Sequence, residues 1–204
     1  MQCAERQTTN FDLIFFTGHK TGWLQYFSSL IKYATHSNYS HVGMILKDPT
    51  FIDPNLKGIY VWESGWEGEY DPQDGELKLG VQITPIHEIL KNFEGSKVII
   101  RKVKCDSILF SERNLKKVHS IVYNKPYDII PKDWIMAFFR KDGEPQKTDR
   151  FWCSALIGFI YTKCGVLQKQ TDWSILRPSD FSLDGETVNF NENCSLWPFE
   201  QKIQ

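Results

Sequence analysis

Cys153, His41 and Glu63 are the residues of this sequence best suited to nucleophilic catalysis. Acyl transfer by a cysteine needs a thiolate, an imidazole that moves protons and a group that orients the imidazole. Cys153 follows the polar segment Lys141–Arg150 and precedes an apolar stretch, so it is expected to begin a helix. A helix N-terminus stabilises a thiolate through its dipole and its free N–H groups. The remaining cysteines lack such a position: Cys3, Cys105, Cys164 and Cys194.

The sequence contains five histidines, and His41 is the best placed of them to act as the base. It lies within the run Ser40–Leu46, whose pattern predicts a strand, and a strand gives the rigid mounting that catalysis needs. Gly43 lacks a side chain and therefore allows another group to approach closely. The other histidines are predicted to lie in a loop, in a turn or on exposed helix faces: His19, His36, His87 and His119.

Glu63 is expected to reach His41 because the two residues lie on neighbouring predicted strands. The segments Ser40–Leu46 and Gly58–Ser64 are separated by turn-forming residues, a pattern that indicates an antiparallel hairpin. The period of two along a strand places His41 and Gly43 on the same face. A carboxylate beside the imidazole would fix its tautomer and stabilise the imidazolium.

Each of these three residues also has an ordinary structural interpretation. A cysteine at the start of an apolar helix is commonly an inert packed thiol. A histidine or a glutamate on a strand is commonly a satisfied core residue or a solvated surface residue. Sequence spacing does not decide between these interpretations, because the members of a triad are neighbours in space and not in sequence. The residue types alone leave both open.

The other patterns indicate an α+β fold in one domain, because strands and helices are mixed without βαβ alternation. Short apolar runs predict strands at Phe11–Phe16, Val81–Thr84 and Lys97–Val103. Helical spacing predicts helices at Thr21–Thr35, Pro85–Phe93, Ser111–Tyr123, Pro131–Arg140 and from Cys153 to about Gly165. The acidic segment Glu67–Gly80 is expected to be a surface loop, and Asp184–Gln204 a packed or frayed tail.

The composition argues against several classes of protein. The 204 residues include 24 Lys and Arg against 25 Asp and Glu, so nucleic-acid binding through bulk positive charge is not expected. No apolar stretch approaches the roughly 20 residues that a membrane-spanning helix needs, and Met1–Asn10 is too polar for a signal peptide. The five widely spaced cysteines argue against a disulfide scaffold and against a metal-ligand cluster. Reduced thiols in a cytosol-like compartment are therefore expected.

Six short motifs resemble, in order, those of a known enzyme superfamily. Tyr39–Met44 (YSHVGM) is similar to the histidine motif of the circularly permuted papain-like families in the NlpC/P60 superfamily, and Phe151–Leu156 (FWCSAL) is similar to their cysteine motif. The histidine precedes the cysteine, the reverse of the order in papain, as a circular permutation produces. The other four motifs are Asp12–Phe15, Val61–Ser64, Pro126–Asp128 and Leu176–Phe181. The group that the chain resembles most is the YiiX/YebB-like permuted amidases of bacteria, with relatives in poxviruses and other large DNA viruses.

This resemblance implies a permuted papain-like domain over residues 11–182, in which an antiparallel sheet or partial barrel packs against helices. Residues 1–10 would form an N-terminal tail and residues 183–204 a C-terminal extension. The resemblance implies catalytic roles for Cys153, His41 and Glu63. Tyr39 and Trp152 flank the two catalytic motifs and are candidate substrate-binding residues. The chain departs from the family at Ala155, where an acidic residue is common, and Trp152 is bulkier than the usual residue before the cysteine.

The expected function is hydrolysis of an amide or isopeptide bond in a peptide or amino-acid conjugate, through an acyl-enzyme, with no cofactor and no metal. One alternative is a lipid acyltransferase or thioesterase that acts on a lipid-like acyl substrate; its group usually has a membrane anchor and an Asn-Cys context, and the sequence shows neither. Another alternative is a catalytically silent viral or host interaction module on the same fold. The expected location is the cytoplasm, or the host cytoplasm or virion if the protein is viral.

Overall fold

A computed structural model describes residues 10–18, 38–128, 147–185 and 187–204 of the chain. Its strands are β1 (Leu13–Phe16), β2 (His41–Lys47), β3 (Ile59–Gly65), β4 (Tyr70–Asp71), β5 (Glu76–Leu77), β6 (Gly80–Pro85), β7 (Val98–Arg101), β8 (Val103–Lys104), β9 (Ser195–Leu196) and β10 (Gln201–Lys202). Its α-helices are α1 (Ile86–Asn92), α2 (Glu112–Val122) and α3 (Cys153–Cys164), and short 3-10 turns lie at Ser107–Phe110, Trp173–Ile175 and Pro178–Phe181.

Within the described residues, the main sheet has six strands in the order β10-β7-β1-β2-β3-β6, and all of its neighbouring strands are antiparallel. Helix α3 packs against β2 and β3, and α2 packs against α3. Met44 and Trp62 point into this larger core. On the other face, Val61 and Ile45 join a smaller core that α1 closes with Ile89. The protein therefore has the expected α+β architecture, with an antiparallel sheet packed against helices.

Helix α3 follows the sequence closely. Its residues Cys153–Tyr161 are all buried, as is typical of a helix enclosed by a core on every side. The helix ends at Cys164, and Gly165 follows it with φ 82°, a left-handed conformation that glycine adopts without a steric penalty. The predicted start at Cys153 and end near Gly165 are thus confirmed.

The hairpin β2–β3 and helices α1 and α2 also form where the sequence predicts them. The predicted strand Lys97–Val103 is wrong in detail, because it is divided into β7 and β8, which join different sheets. The predicted helices Thr21–Thr35 and Pro131–Arg140 lie outside the described residues, as do the first nine residues of the predicted N-terminal tail. Within the described ranges, the helices are too short or too polar to cross a membrane.

The prediction of a surface loop at Glu67–Gly80 is wrong. The segment forms the hairpin β4–β5, and Asp71 and Lys78 are buried in an ion pair of 2.8 Å. Lys78 also bonds Asp74, four residues earlier. A buried carboxylate needs a partner of this kind, so the charges that suggested a solvated loop instead hold the segment against the protein.

The C-terminal segment is packed and not frayed. Strand β9 pairs with β8, and β10 adds an edge strand to the main sheet beside β7. The carbonyl of Trp197 accepts a hydrogen bond from Nε of Arg101, at 2.9 Å. The extension that sequence analysis separated at residue 183 is therefore joined to the sheet, while its status as a separate unit stays a prediction.

Candidate active site

His41 and Glu63 meet at one end of the β2–β3 hairpin. The register pairs Met44 with Trp62, and its continuation places Gly43 opposite Glu63 and His41 opposite Gly65. Glu63 therefore reaches His41 diagonally across the two strands, with Oε2 2.6 Å from Nε2 of the imidazole. This contact confirms the expectation that the hairpin brings the carboxylate to the ring.

Two glycines make room for this contact. A Cβ on Gly43 would lie 2.4 Å from Cγ1 of Val61 and 3.5 Å from Cβ of Glu63. A Cβ on Gly65 would lie 3.2 Å from Cε1 of His41. Real side-chain carbons do not approach to 2.4 Å, so the absence of a side chain at Gly43 is what permits the close packing of the two strands here.

Glu63 is fully buried and is held at both carboxylate oxygens. Oε1 accepts a hydrogen bond from the hydroxyl of Thr84 on β6 at 2.5 Å, while Oε2 faces His41. Burial raises the pKa of Glu63 to about 8, although the Thr84 hydrogen bond opposes this rise. The carboxyl group is fully buried and is held at both of its oxygens, as suits an orienting group.

Cys153 is the first residue of α3 and is 3% exposed. The segment before it is anchored to β3, because the hydroxyl of Ser64 donates to the carbonyl of Phe151 at 2.6 Å. The residue after it, Ser154, donates to the carbonyl of Leu176 at 2.7 Å. The N–H groups of the first helical turn have no partner within the helix, so they can stabilise negative charge beside the Cys153 thiol.

The Cys153 sulfur also affects the imidazole of His41, through the pKa of the ring. Burial lowers the pKa of His41, but the neighbouring Cys153 sulfur and the charge of Glu67 raise it by more, so the net change is upward. His41 is 8% exposed, and its ring lies beside the aromatic rings of Phe16 and Phe93, with centroids 5.7 and 6.3 Å away. The structure therefore brings His41 and Glu63 into contact at one buried location, and the effect on the pKa of His41 indicates that the Cys153 sulfur lies nearby.

Glu67 is a fourth member of this location and was missed by sequence analysis. It is 8% exposed, and Asn92 of α1 donates to its carbonyl and to Oε2, at 2.9 and 3.3 Å. Burial raises the pKa of Glu67 well above its ordinary value, and the charge of Glu63 adds to this rise. Its position in an acidic stretch suggested a solvated side chain, so no signal in the sequence singled it out.

His41, Glu63 and Glu67 each offer one ligand atom, and these atoms all lie within 4.8 Å of one another. Sequence analysis did not foresee this cluster, and the expected absence of a metal stays a prediction. It rested on spacing along the chain, whereas the fold assembles the three residues from β2, from β3 and from the residues that follow β3. One nitrogen and two carboxylate oxygens form a donor set that zinc and other divalent transition metals accept.

The polar groups of the two candidate substrate-binding residues form hydrogen bonds with other residues of the chain. Tyr39 is 2% exposed, its ring lies against Phe15, and its hydroxyl donates to Glu200 at 2.6 Å. Burial and this hydrogen bond raise the pKa of Tyr39. Trp152 is half-buried, and its Nε1 donates to the carbonyl of Leu176 at 3.1 Å. A substrate-binding role for either residue stays a prediction.

The remaining histidines and cysteines lie away from this location or outside the described residues. His87 and His119 are on α1 and α2, where His119 bonds the side chain of Gln73. Cys3, His19 and His36 fall in residues that the structure does not describe.

Comparison with known proteins identifies the fold. No protein-family model matches the sequence, and no curated protein matches it. Among solved structures, the chain is similar to a crystal structure described as that of metalloprotein yiiX from Escherichia coli O157:H7, with a TM-score of 0.50 and 17% identity over 94% of this chain and 97% of that chain. An identity of 17% supports a likeness of fold alone. The chain therefore has a YiiX-like α+β fold.

Proposed function

We propose that the protein is a thiol hydrolase that cleaves an amide or isopeptide bond through an acyl-enzyme. Cys153 is the nucleophile, His41 is the base and then the acid, and Glu63 orients His41. The observation that supports this most strongly is the buried 2.6 Å contact between Nε2 of His41 and Oε2 of Glu63, on a ring whose pKa the nearby Cys153 sulfur raises. The motif resemblance to permuted papain-like NlpC/P60 enzymes supports the same assignment.

The reaction begins when the Cys153 thiol transfers its proton to His41 and the sulfur attacks the carbonyl carbon. Nε2 faces Glu63, so Nδ1 is the nitrogen available to the thiol. Backbone N–H groups at the start of α3 stabilise the oxyanion of the tetrahedral intermediate, an effect worth about 3–4 kcal/mol for one well-placed donor. The intermediate collapses, His41 gives its proton to the leaving amine, and a thioester with Cys153 remains. Water, deprotonated by His41, then hydrolyses the thioester and restores the thiol.

Glu63 keeps the imidazole in the orientation that this sequence requires. Its hydrogen bond from Thr84 and its full burial prevent the carboxyl group from turning away from the ring. The imidazolium that forms during the reaction favours the ionised form of Glu63, which then stabilises the positive charge. Loss of general base catalysis typically costs about 10²–10⁴-fold in rate.

The test is to incubate the protein with a panel of activated amides, esters and thioesters that carry aminoacyl, peptidyl or fatty-acyl groups. Acylation is detected by mass spectrometry on the tryptic peptide Phe151–Lys163, which carries Cys153 as its one cysteine. The proposal predicts an acyl adduct on this peptide, lost in Cys153→Ser and slowed at least 100-fold in His41→Ala. His119→Ala is the matched control and should retain the adduct. Absence of any Cys153 adduct across the panel would contradict the proposal, and an adduct from fatty-acyl thioesters alone would favour the acyltransferase or thioesterase alternative.

A second candidate function is divalent-metal binding by His41, Glu63 and Glu67, which their clustering within 4.8 Å supports. The similar solved structure is described as that of a metalloprotein. The donor set fits such an ion, but Nε2 and Oε2 are 2.6 Å apart, a hydrogen-bond distance that leaves no room for a metal between the two atoms. A metal at Nε2 would therefore displace the contact on which the hydrolase assignment depends.

Calorimetric titration with Zn²⁺ distinguishes the two functions. Binding that is lost in Glu67→Gln and kept in Glu69→Gln, together with loss of Cys153 acylation when zinc is added, would favour the metal site. Unchanged acylation in the presence of zinc, with no heat of binding, would remove this candidate. Glu69 is a suitable control because it carries the same charge two residues further along the chain.

A further inference from the structure

Cys105 and Cys194 lie outside the proposed active site and face each other across a short two-stranded sheet. Strands β8 and β9 are antiparallel, with Val103 opposite Leu196 and Lys104 opposite Ser195. Continuing this register by one residue places Cys105 directly opposite Cys194. In the sequence, 88 residues lie between these two cysteines, and no pattern indicates that they are neighbours.

The hydrogen bonds of this small sheet show which type of pair the two cysteines form. The N–H of Trp197 donates to the carbonyl of Lys102 at 2.9 Å. Hydrogen-bonded and non-hydrogen-bonded pairs alternate along an antiparallel ladder, so Cys105 and Cys194, three positions along, form a non-hydrogen-bonded pair. In agreement, the N–H of Cys194 donates to Asn191 and not across the sheet.

A non-hydrogen-bonded pair has the geometry that a disulfide needs. Its Cα atoms are about 4.5 Å apart, which is within the range of roughly 4.4–6.8 Å for disulfide-bonded cysteines. Both cysteines are free and partly exposed, so a small oxidant can reach them. Burial raises the pKa of Cys105 to about 11, and the charge of Cys194 adds to this rise, as it does only when the two thiols are close.

We propose that Cys105 and Cys194 form an intramolecular disulfide when the protein meets an oxidant such as a low-molecular-weight disulfide. With oxidised glutathione, one cysteine thiolate attacks the disulfide and releases one reduced glutathione. The second cysteine then attacks the mixed disulfide and releases another. Two protein thiols lose two electrons and two protons, and one glutathione disulfide becomes two glutathione thiols.

The bond would fasten the C-terminal segment to the body of the protein. Beyond Cys194 this segment contains β9 and two residues that hold it to the rest of the protein. The carbonyl of Trp197 accepts a hydrogen bond from Arg101, and the side chain of Glu200 accepts one from the hydroxyl of Tyr39. Tyr39 precedes His41 by two residues, so the crosslink would hold the segment that supports the start of β2. The proposal does not depend on the hydrolase assignment, because neither cysteine belongs to the proposed active site.

The high pKa of Cys105 determines how fast the disulfide would form and how strongly it would resist reduction. Few thiolates are present at neutral pH, so formation is slow and accelerates as the pH rises toward 11. A thiol that resists ionisation also forms a disulfide that resists reduction, the reverse of the low-pKa cysteines of strong oxidants. The pair is therefore suited to a lasting crosslink and not to rapid sensing.

Cys164 is the competing partner for Cys105. The charge of Cys105 contributes to a raised pKa of Cys164, which shows that these two thiols also lie near each other. Cys164 is 3% exposed and belongs to α3, whereas Cys194 is opposite Cys105 in register and partly exposed. Geometry and access both favour Cys194.

The experiment treats the full chain with oxidised glutathione at pH 8 and 9, blocks the remaining thiols and maps the tryptic peptides by mass spectrometry. Trypsin places Cys105, Cys153, Cys164 and Cys194 in four different peptides. The proposal predicts a linked pair of the Cys105 and Cys194 peptides that lacks two hydrogens, forms faster at pH 9, and raises the melting temperature by roughly 5–10 °C. Cys105→Ser and Cys194→Ser should each lose both effects, and Cys153→Ser should keep both.

A linked pair of the Cys105 and Cys164 peptides would overturn the proposal, as would stable glutathione adducts on Cys105 and Cys194 without a link between them. Peptide mapping of the unsubstituted protein gives this answer even if a serine variant fails to fold.

Discussion

Replacing Gly43 by alanine should destabilise the protein and disturb the contact between Glu63 and His41. The new Cβ would lie 2.4 Å from Cγ1 of Val61 and 3.3 Å from the carbonyl oxygen of Trp62. Carbon atoms pack best at about 3.5–4.0 Å, so the strands must separate or Val61 must move. Val61 is fully buried and its β-branched side chain has little rotational freedom.

The expected loss in the free energy of unfolding is about 2–3 kcal/mol, the upper part of the range for overpacking a close-packed core. Part of the strain is relieved by separating β2 from β3, which moves the Glu63 carboxylate away from His41. Alkylation of Cys153 by iodoacetamide should therefore also become slower in Gly43→Ala.

Urea unfolding of Gly43→Ala, Val61→Ala and the double variant measures this effect. Val61→Ala alone should cost about 1.5–3 kcal/mol through lost burial and the cavity that it leaves. It also removes the methyl group that the new Cβ meets, so the double variant should be more stable than the sum of the two single changes predicts, by at least about 1 kcal/mol. Additive effects, or a Gly43→Ala variant as stable as the original protein, would refute the strand register on which the site depends.

Three further predictions concern the same region. Glu67→Gln removes a carboxyl group whose ionised form favours the imidazolium and raises the pKa of His41, so the midpoint of the His41 titration in NMR should move to lower pH; an unchanged midpoint would place Glu67 away from the ring. Burial raises the pKa of Glu63 and Glu67 above the ordinary value of 4.5, so the folded state retains protons that the unfolded state releases. Their contribution to the free energy of unfolding should then fall as the pH rises from 4.5 to 8. Urea unfolding at several pH values measures this fall, and a dependence on pH that is no weaker in Glu67→Gln would contradict the prediction. Ser64→Ala removes the hydroxyl donor to the buried carbonyl of Phe151, which keeps the N–H of Asp128 as a second donor, and should lower the free energy of unfolding by about 0.5–1.5 kcal/mol; an unchanged free energy of unfolding would show that this anchor is dispensable.

The pairing of His41 with Glu63 could be predicted because it depends on a simple periodicity. Side chains alternate along a strand, and a slip of one residue would turn the whole apolar face of β2 or β3 to the wrong side. The predicted hairpin therefore fixed which residues share a face, and the structure adds that the approach is diagonal across Gly43. The start of α3 was predictable for a similar reason, because a polar segment changes there to a fully apolar one.

The role of long-range contacts could not be predicted. Glu67 is buried because Asn92, 25 residues later on a different element, bonds its backbone and side chain. Cys153 is positioned by Ser64, which lies 87 residues before the carbonyl that it holds. Single hydrogen bonds of this kind leave no periodic pattern in a sequence. The same limit applies to Tyr39, whose hydroxyl bonds Glu200 in a segment that showed no regular pattern.

The rate at which iodoacetamide alkylates Cys153 between pH 5 and 9 is the most direct test of the central claim, that His41 and Glu63 activate this thiol. Each cysteine is followed in its own tryptic peptide, so the other thiols of the chain serve as internal controls. We predict that near pH 6 Cys153 reacts faster than the other cysteines. His41→Ala should abolish this difference in rate, Glu63→Gln should reduce it, and His119→Ala should leave it unchanged. Equal rates for Cys153 and the partly exposed Cys105 and Cys194 near pH 6, or an advantage that survives His41→Ala, would contradict it.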